Sequence, residues 1–379
     1  MGGSCSAQRK EPKVGLKILM LGGANVGKST IFKQMRILYL NGFDNEDKEF
    51  AKGCIFENIL ETLVDLDSSS DDYGLQVQES NEELVDDIKP VLLEIRTRSP
   101  TDAVKIDTNT WERVSRLWND PAIQAVFREI KTPTSNQVMK ADRLLPDASG
   151  YFLSQIDRIR KDDYTPSDDD ILHLRRSTTD SNSIHFVMDV MSLIGKSTSL
   201  NVECVDVGGQ SHERQTWVNH STDLNAILYV LSLSEFSSVD QNGQNVLQTQ
   251  LDLLKTIVQT PCFQNATVIV LLNKYDLMEE KLKGLKLADF FDDFSGTNDA
   301  DSSIEFIKAK VAEIIYPPTT EDEEAEEEQP VRGCPETDAN DRNQILKTCA
   351  TDTRLMRDVI EVIGQSILQK TLSESKYFG

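Results

Sequence analysis

The stretch "LGGANVGKST", Leu21 to Thr30, decides how the chain around it must fold. Gly22-x-x-x-x-Gly27-Lys28-Ser29 has the G-x-x-x-x-G-K-[ST] spacing of a phosphate-binding loop. Its glycines let backbone N–H groups turn inward onto phosphate oxygens, and a following helix adds the positive end of its dipole. Such a loop needs a strand before it and a helix after it. "KILML", Lys17 to Leu21, is a short apolar run stopped by Gly22 and Gly23, and it reads as a buried strand. Ile31, Met35 and Leu38 then recur at helical spacing. In this context Gly22, Gly23, Ala24, Asn25, Val26, Gly27, Lys28, Ser29 and Thr30 are expected to surround the phosphates of a nucleotide. Lys28 would neutralise the β and γ phosphates, and the Ser29 hydroxyl would ligate Mg²⁺. Taken alone, the loop specifies a nucleoside triphosphate and leaves the base open.

Working outward, "LNVECVDV" (Leu200 to Val207), "AILYVLSL" (Ala226 to Leu233) and "ATVIVLLN" (Ala266 to Asn273) read as further strands. Helical segments separate the later ones, which predicts a doubly wound α/β sheet with its sites at the strand C-termini. From about 45 to 168 the pattern changes to helical spacing. Trp111, Val114 and Trp118 show it, as do Ile123, Val126, Phe127 and Ile130, and then Phe152, Ile156 and Ile159. This stretch is expected to be an all-helical domain inserted into the α/β domain (15–44 and 169–379), with "DSSSDD", Asp67 to Asp72, as a loop inside it.

The 379 residues are 39% hydrophobic and 27% charged, as in a soluble globular protein. No apolar run reaches the roughly 20 residues that span a bilayer, and no secretory signal is expected. Cys5, Cys54, Cys204, Cys262, Cys334 and Cys349 show no metal-ligand spacing and are expected to be reduced thiols. A formal net charge of −23 argues against nucleic acid as a partner. Part of that charge lies in "EDEEAEEE", Glu321 to Glu328, within a stretch (319–340) expected to be an acidic, disordered loop.

"LLNKYDL" selects the base. Asp276, in Asn273-Lys274-x-Asp276, can accept two hydrogen bonds from the N1–H and 2-amino group of guanine, a donor pair that adenine lacks. Asn273 can tie neighbouring loops together, and the stem of Lys274 can lie over the base. In "TCATDT", Thr348 to Thr353, the Ala350 N–H can reach guanine O6. "DVGGQ", Asp206 to Gln210, completes the set: Asp206 can hold a Mg²⁺-bound water, the Gly209 N–H can sense the γ-phosphate, and Gln210 can orient an attacking water.

These residues together resemble the α subunits of heterotrimeric G proteins, over nearly the whole chain. "GKST", "DVGGQ", "NKYDL" and "TCATDT" stand in that family's order, joined by "LPDASGYFLSQIDRI" (Leu145 to Ile159) and "DDILHLRRSTTD" (Asp169 to Asp180). Small GTPases share the first three but lack the inserted helical domain. The resemblance implies a Ras-like P-loop GTPase domain, GTP or GDP with Mg²⁺, and hydrolysis to GDP and phosphate. It makes Arg175 the arginine that stabilises transition-state charge and Thr178 the second hydroxyl on Mg²⁺. Arg176 with Thr179 has the same spacing and is the competing register. The resemblance adds Asp147, Leu172 and Cys349 to the nucleotide-contacting set. It further implies effectors, a membrane receptor or exchange factor, a GTPase-activating regulator and a βγ dimer as partners. "MGGSCS" fits myristoylation of Gly2, with Cys5 a candidate for palmitoylation within a short lipidated segment (1–14), which implies the cytoplasmic face of the plasma membrane.

Several positions depart from the family. Its loop reads Gly-Ala-Gly-Glu-Ser-Gly-Lys, whereas here Ala24 replaces a glycine and Asn25 replaces the glutamate that pairs with the arginine. Ala24 either crowds Gln210 and slows hydrolysis or is accommodated by a slight shift of the loop, and Asn25 is expected to loosen the closure between domains and speed GDP release. The segment before the first strand is short and holds Pro12 where the family has a long helix docking on βγ, and "SHERQTW", Ser211 to Trp217, lacks several basic positions. Two rivals follow: a GTP-binding scaffold with little hydrolysis, motivated by Ala24, and an ATP-dependent enzyme, opposed by Asp276.

Overall fold

A computed structural model of the chain describes residues 14–99, 104–131, 139–140, 148–175, 181–191, 197–317 and 344–376. Gly2, Cys5 and the acidic run Glu321 to Glu328 lie outside the described residues. Along the chain, β1 (Val14–Gly22) and α1 (Lys28–Tyr39) flank the phosphate loop. Helices α2 (Asn45–Ser70), α3 (Leu84–Thr97), α4 (Thr108–Trp118) and α5 (Pro121–Lys131) follow, then the short strand β2 (Met139–Lys140). After α6 (Ser149–Leu153), α7 (Ile156–Ile159) and α8 (Asp168–His173) come β3 (Asn182–Met191), β4 (Ser197–Asp206), β5 (Ala226–Ser232) and β6 (Ser238–Val239). The last part holds α9 (Val246–Gln259), β7 (Thr267–Asn273), α10 (Tyr275–Lys281), α11 (Ala300–Ile315), β8 (Gln344–Thr348) and α12 (Thr353–Lys376).

The described residues form a six-stranded sheet in the order β3-β4-β1-β5-β7-β8. All neighbours run parallel except β3, which is antiparallel to β4. Every residue of β5 and β7 is buried, which explains why both read as unbroken apolar runs: helices cover the two faces of a central parallel strand. On one face Leu19, Leu21, Tyr229 and Leu231 join Leu251 and Leu254 of α9 and Ile304 and Ile307 of α11. On the other, Ile18, Met20, Leu228 and Val230 join Ile31 and Met35 of α1 and Met356, Ile360 and Ile363 of α12. The chain therefore has the expected Ras-like α/β architecture with helices inserted after α1. Those helices have a core of their own, from Ala51, Ile55 and Ile59 through Trp111, Val114, Ile123 and Phe152 to Ile171 and Leu174. β2 and β6 form a small parallel pair linking the inserted part to the α/β part.

Two strands of the six-stranded sheet escaped the sequence reading. β3 alternates buried Phe186, Met188 and Val190 with exposed His185, Val187 and Asp189, the period-two pattern of an edge strand with one covered face. β8 is five residues long, and only its last residue is fully buried. The expected loop at Asp67 to Asp72 is a correction. Asp67 to Ser70 form the last turn of α2, and Asp71 to Tyr73 a single 3₁₀ turn. Serines are tolerated there because Ser68 and Ser69 donate their hydroxyls to the carbonyls of Val64 and Asp65, and Ser70 to that of Asp67.

Candidate functional site

Strand register decides where the site lies. Asp206 pairs with Met20, Gly22 with Val230, Ser232 with Asn273, and Asn273 with Thr348. The C-terminal ends of the strands thus meet at one edge of the sheet, where open α/β folds bind ligands. A cleft of about 560 Å³ opens there. It is lined by Gly23 to Thr30, Leu172, Arg175, Gly209, Gln210, Asn273, Lys274, Asp276, Cys349 and Ala350. Gly22 lies at the end of β1 and Asp206 behind Ser29, so both support the lining from beneath. Asp147, Thr178, Arg176 and Thr179 lie outside the described residues.

The loop's backbone explains its composition. Gly22 and Gly27 have φ of 146° and 101°, and a Cβ on Gly27 would stand 2.2 Å from Asn273 Nδ2. Asn25, at φ 60°, also takes a left-handed conformation, which asparagine tolerates better than most residues. Helix α1 has no side-chain cap and no acidic residue in its first turn, so the positive end of its dipole faces the cleft uncompensated. Lys28 is buried and donates to the carbonyls of Gly22 at 3.2 Å and Gly23 at 2.7 Å. Burial pushes its ammonium down to about 8, while Asp206 and Glu213 pull the other way. A cation held in place at a cost of desolvation is suited to a polyanion.

Ser29 donates its hydroxyl to Asp206 Oδ2 at 2.9 Å across 177 positions of the sequence. Asp206 is buried, at 1% exposure. A hydroxyl and a carboxylate beside a phosphate loop are hard oxygen donors that fit Mg²⁺, which takes one or two protein ligands and completes its shell with water and phosphate.

The segment after β4 lies directly on the loop. A Cβ on Gly209 would stand 2.3 Å from Lys28 Nζ and 2.4 Å from Gly23 O, so only glycine passes there. Glu213 accepts the Gln210 N–H at 2.9 Å, Arg214 Nε donates to Gly209 O at 3.3 Å, and the buried Trp217 donates its indole N–H to Gly208 O at 2.9 Å. The Gln210 side chain is left exposed at the cleft.

At the opposite end, Asn273 donates Nδ2 to Val26 O at 2.8 Å and accepts the Ala350 N–H at 3.0 Å and the Thr348 hydroxyl at 3.3 Å. One amide thereby fastens the phosphate loop to the segment between β8 and α12. Gln34 of α1 fastens the same segment from below, donating to Ala350 O at 2.9 Å. Lys274, at φ 60°, donates to Asn25 O at 2.5 Å, and Asp276 stands exposed in the first turn of α10. Burial pushes the Cys349 thiol up.

Lys33, His173, Glu213, Arg214 and Lys281 also line the cleft and were not singled out from the sequence. Glu213 and Arg214 stood within a quoted segment, but their hydrogen bonds to Gln210 and Gly209 depend on how that segment turns. Lys33 and Lys281 look like ordinary polar positions on helices. No local pattern marks them.

With this geometry established, comparison with known proteins is direct. Residues 4–367 match the family model described as G-alpha, the G-protein alpha subunit. The chain is 32% identical over 294 residues to the guanine nucleotide-binding protein alpha-6 subunit of Caenorhabditis elegans, covering 77% of this chain and 75% of that protein. It is 30% identical over 370 residues to guanine nucleotide-binding protein subunit alpha-15 of Mus musculus, covering 97% of this chain and 90% of that protein. The match runs through sheet, inserted helices and cleft alike, and the chain belongs to the G-protein α-subunit family of guanine-nucleotide-binding GTPases.

Proposed function

We propose that this chain is a signalling switch that binds GTP with Mg²⁺, hydrolyses it, and changes partners as its nucleotide changes. The observation that carries this reading is the meeting, in one cleft, of the phosphate loop, Arg175, Gln210 and Asp276, which are far apart in the sequence. Lys28 and the loop N–H groups hold the phosphates, and Asp276 reads the guanine edge, with Asn273, Lys274, Cys349 and Ala350 framing the base. Ser29, Thr178 and, through water, Asp206 would hold Mg²⁺, which when bound would neutralise charge on the phosphate oxygens. Asp147 and Leu172 complete the nucleotide contacts. Gln210 orients a water whose oxygen forms a new bond to the γ phosphorus while the bond to the bridging oxygen breaks, leaving GDP and phosphate. Arg175 stabilises the charge that spreads over the γ-phosphate oxygens meanwhile. Loss of that phosphate frees Thr178 and Gly209, and the segments around them reorder.

Upstream, a membrane receptor or exchange factor releases GDP; downstream, effectors read the GTP state. Myristate on Gly2 and palmitate on Cys5 would together anchor the chain to the membrane, since a single acyl chain binds only marginally. Consistent with a peripheral attachment, no helix among the described residues is long and apolar enough to cross a membrane. A second reading, a GTP-holding scaffold acting without βγ, is favoured by one observation: Ala24 lines the cleft together with Gln210. Single-turnover hydrolysis of bound GTP separates the two. Phosphate release by the wild type that Gln210→Leu loses supports the switch; equal rates support the scaffold.

A further inference from the structure

Arg175 follows directly on the C-terminal cap of α8, and the backbone just before it is gripped from a different part of the molecule. Lys33, on α1, donates its ammonium to Ile171 O at 2.9 Å and to Leu174 O at 2.7 Å. Both carbonyls belong to the end of a six-residue helix whose cap is Leu174. Ile171 O also accepts the Leu174 N–H of the cap at 3.2 Å, but the carbonyls at this helix end carry the negative end of the dipole, so a cation there makes short, charge-assisted bonds. On the other side, Asn58 Nδ2 of α2 reaches Arg175 O at 3.5 Å. Leu172 and Leu174 are buried, at 2% and 7% exposure, whereas the Arg175 side chain is exposed at the cleft. The backbone ahead of the arginine is therefore anchored, and its guanidinium is left to reach.

We propose that Lys33 is a positioning residue for Arg175. It refers the arginine to α1, the same rigid helix whose first turn carries Lys28 and Ser29. Lys33 stands five residues after Lys28, about 7.5 Å along the helix axis. One helix thereby sets both the place of the phosphates and the origin of the side chain that reaches toward them. No charged pair between Asn25 and Arg175 is available to do this, because Asn25 is neutral and its carbonyl is engaged by Lys274. The proposal rests on the reading of Arg175 as the group that stabilises the transition state.

The test uses the full chain loaded with GTP and starts hydrolysis with Mg²⁺ in a single turnover, so that binding is already complete. Lys33→Met removes the charge and keeps the length of the side chain; Lys33→Arg restores a donor. Lys33→Met is expected to slow the chemical step by about 100-fold, the scale of a 1 Å misplacement. Lys33→Arg should recover most of that loss. Adding Lys33→Met to Arg175→Ala should slow the reaction less than twofold further, because the lysine acts only through the arginine. A Lys33→Met variant that hydrolyses GTP like the wild type, beside a slow Arg175→Ala, overturns the proposal. So does a double variant whose losses multiply. If Arg175→Ala itself hydrolyses like the wild type, the underlying reading of Arg175 fails and the proposal with it. Should Lys33→Met fold poorly, the comparison of Lys33→Arg with the wild type still decides: a chemical step slowed as far as in Arg175→Ala would count against positioning by a cation.

Discussion

Asn273 shows how much a single side chain carries at this site. Its amide fills both roles at once, donating to Val26 O and accepting from Ala350 N–H and Thr348, with only 1% of the residue exposed. Asn273→Ala leaves a buried carbonyl and a buried N–H without their partner, each costing about 1 to 3 kcal/mol. Unfolding in urea should show a loss of a few kcal/mol, and affinity for guanine nucleotides should fall, because the phosphate loop is no longer tied to the base side. An unchanged denaturation midpoint would count against that account. Ala24 is expected to act through its size. Ala24 is exposed and lines the same cleft as Gly209 and Gln210. Ala24→Gly is expected to raise the intrinsic single-turnover rate several-fold; a rate equal to the wild type would show that the loop accommodates the methyl.

Between residue and molecule, α8 illustrates how one helix is held in place. Ser167 and Asp170 form a capping box, and the Asp170 carboxylate also accepts from Arg158 at 2.6 and 2.9 Å, Tyr151 at 2.8 Å and Tyr164 at 3.1 Å. Burial pushes this carboxyl up, but the bonds from Arg158, the Ser167 N–H and Tyr151 outweigh it and hold Asp170 at about 2, below the usual 3.8. A carboxyl lowered in the folded state stabilises fully above the unfolded value and loses that contribution as pH falls through the folded one. Stability should therefore drop between about pH 4 and pH 2, by an amount on the order of 1 to 2 kcal/mol from this group. Asp170→Asn should be less stable at pH 7 and flatter across that window in thermal melts; a parallel pH profile would refute the assignment. The opposite end of the same helix is the one gripped by Lys33, so a shift of α8 as a whole reaches Arg175.

At the scale of the molecule, the cleft is walled by the sheet edge on one side and by the inserted helices on the other, with Ile130, Lys131 and Ala148 among its lining. Asn25 stands on one wall without a charge, and Arg175 comes from the other. Asn25→Glu should add an attraction between them and slow the release of a fluorescent GDP analogue by several-fold, more at low salt than at high salt. Release that does not change with either substitution or salt would mean that the walls are held by other contacts, among them Asn58 and Lys33.

How much of this was readable in advance depends on the range of each interaction. The phosphate loop, the buried runs of β1, β5 and β7 and the helical stripes were legible because they follow from local rules: glycine at left-handed φ, apolar runs for covered strands and a repeat near 3.6 for helices. β3 was missed because half of its residues face outward and dilute the apolar signal, and the serines closing α2 were misread because back-bonding to carbonyls inside a helix leaves no mark on composition. The order of the motifs and their chemistry belong to the sequence, and so does the resemblance to the α-subunit family. Only the tertiary structure decided that Ser29 meets Asp206, that Asn273 joins Val26 to Ala350, and that Lys33 grips the backbone before Arg175. Each of these joins segments 77 or more residues apart, where no periodicity or turn chemistry links the partners and the packing of the sheet against its helices alone brings them within reach.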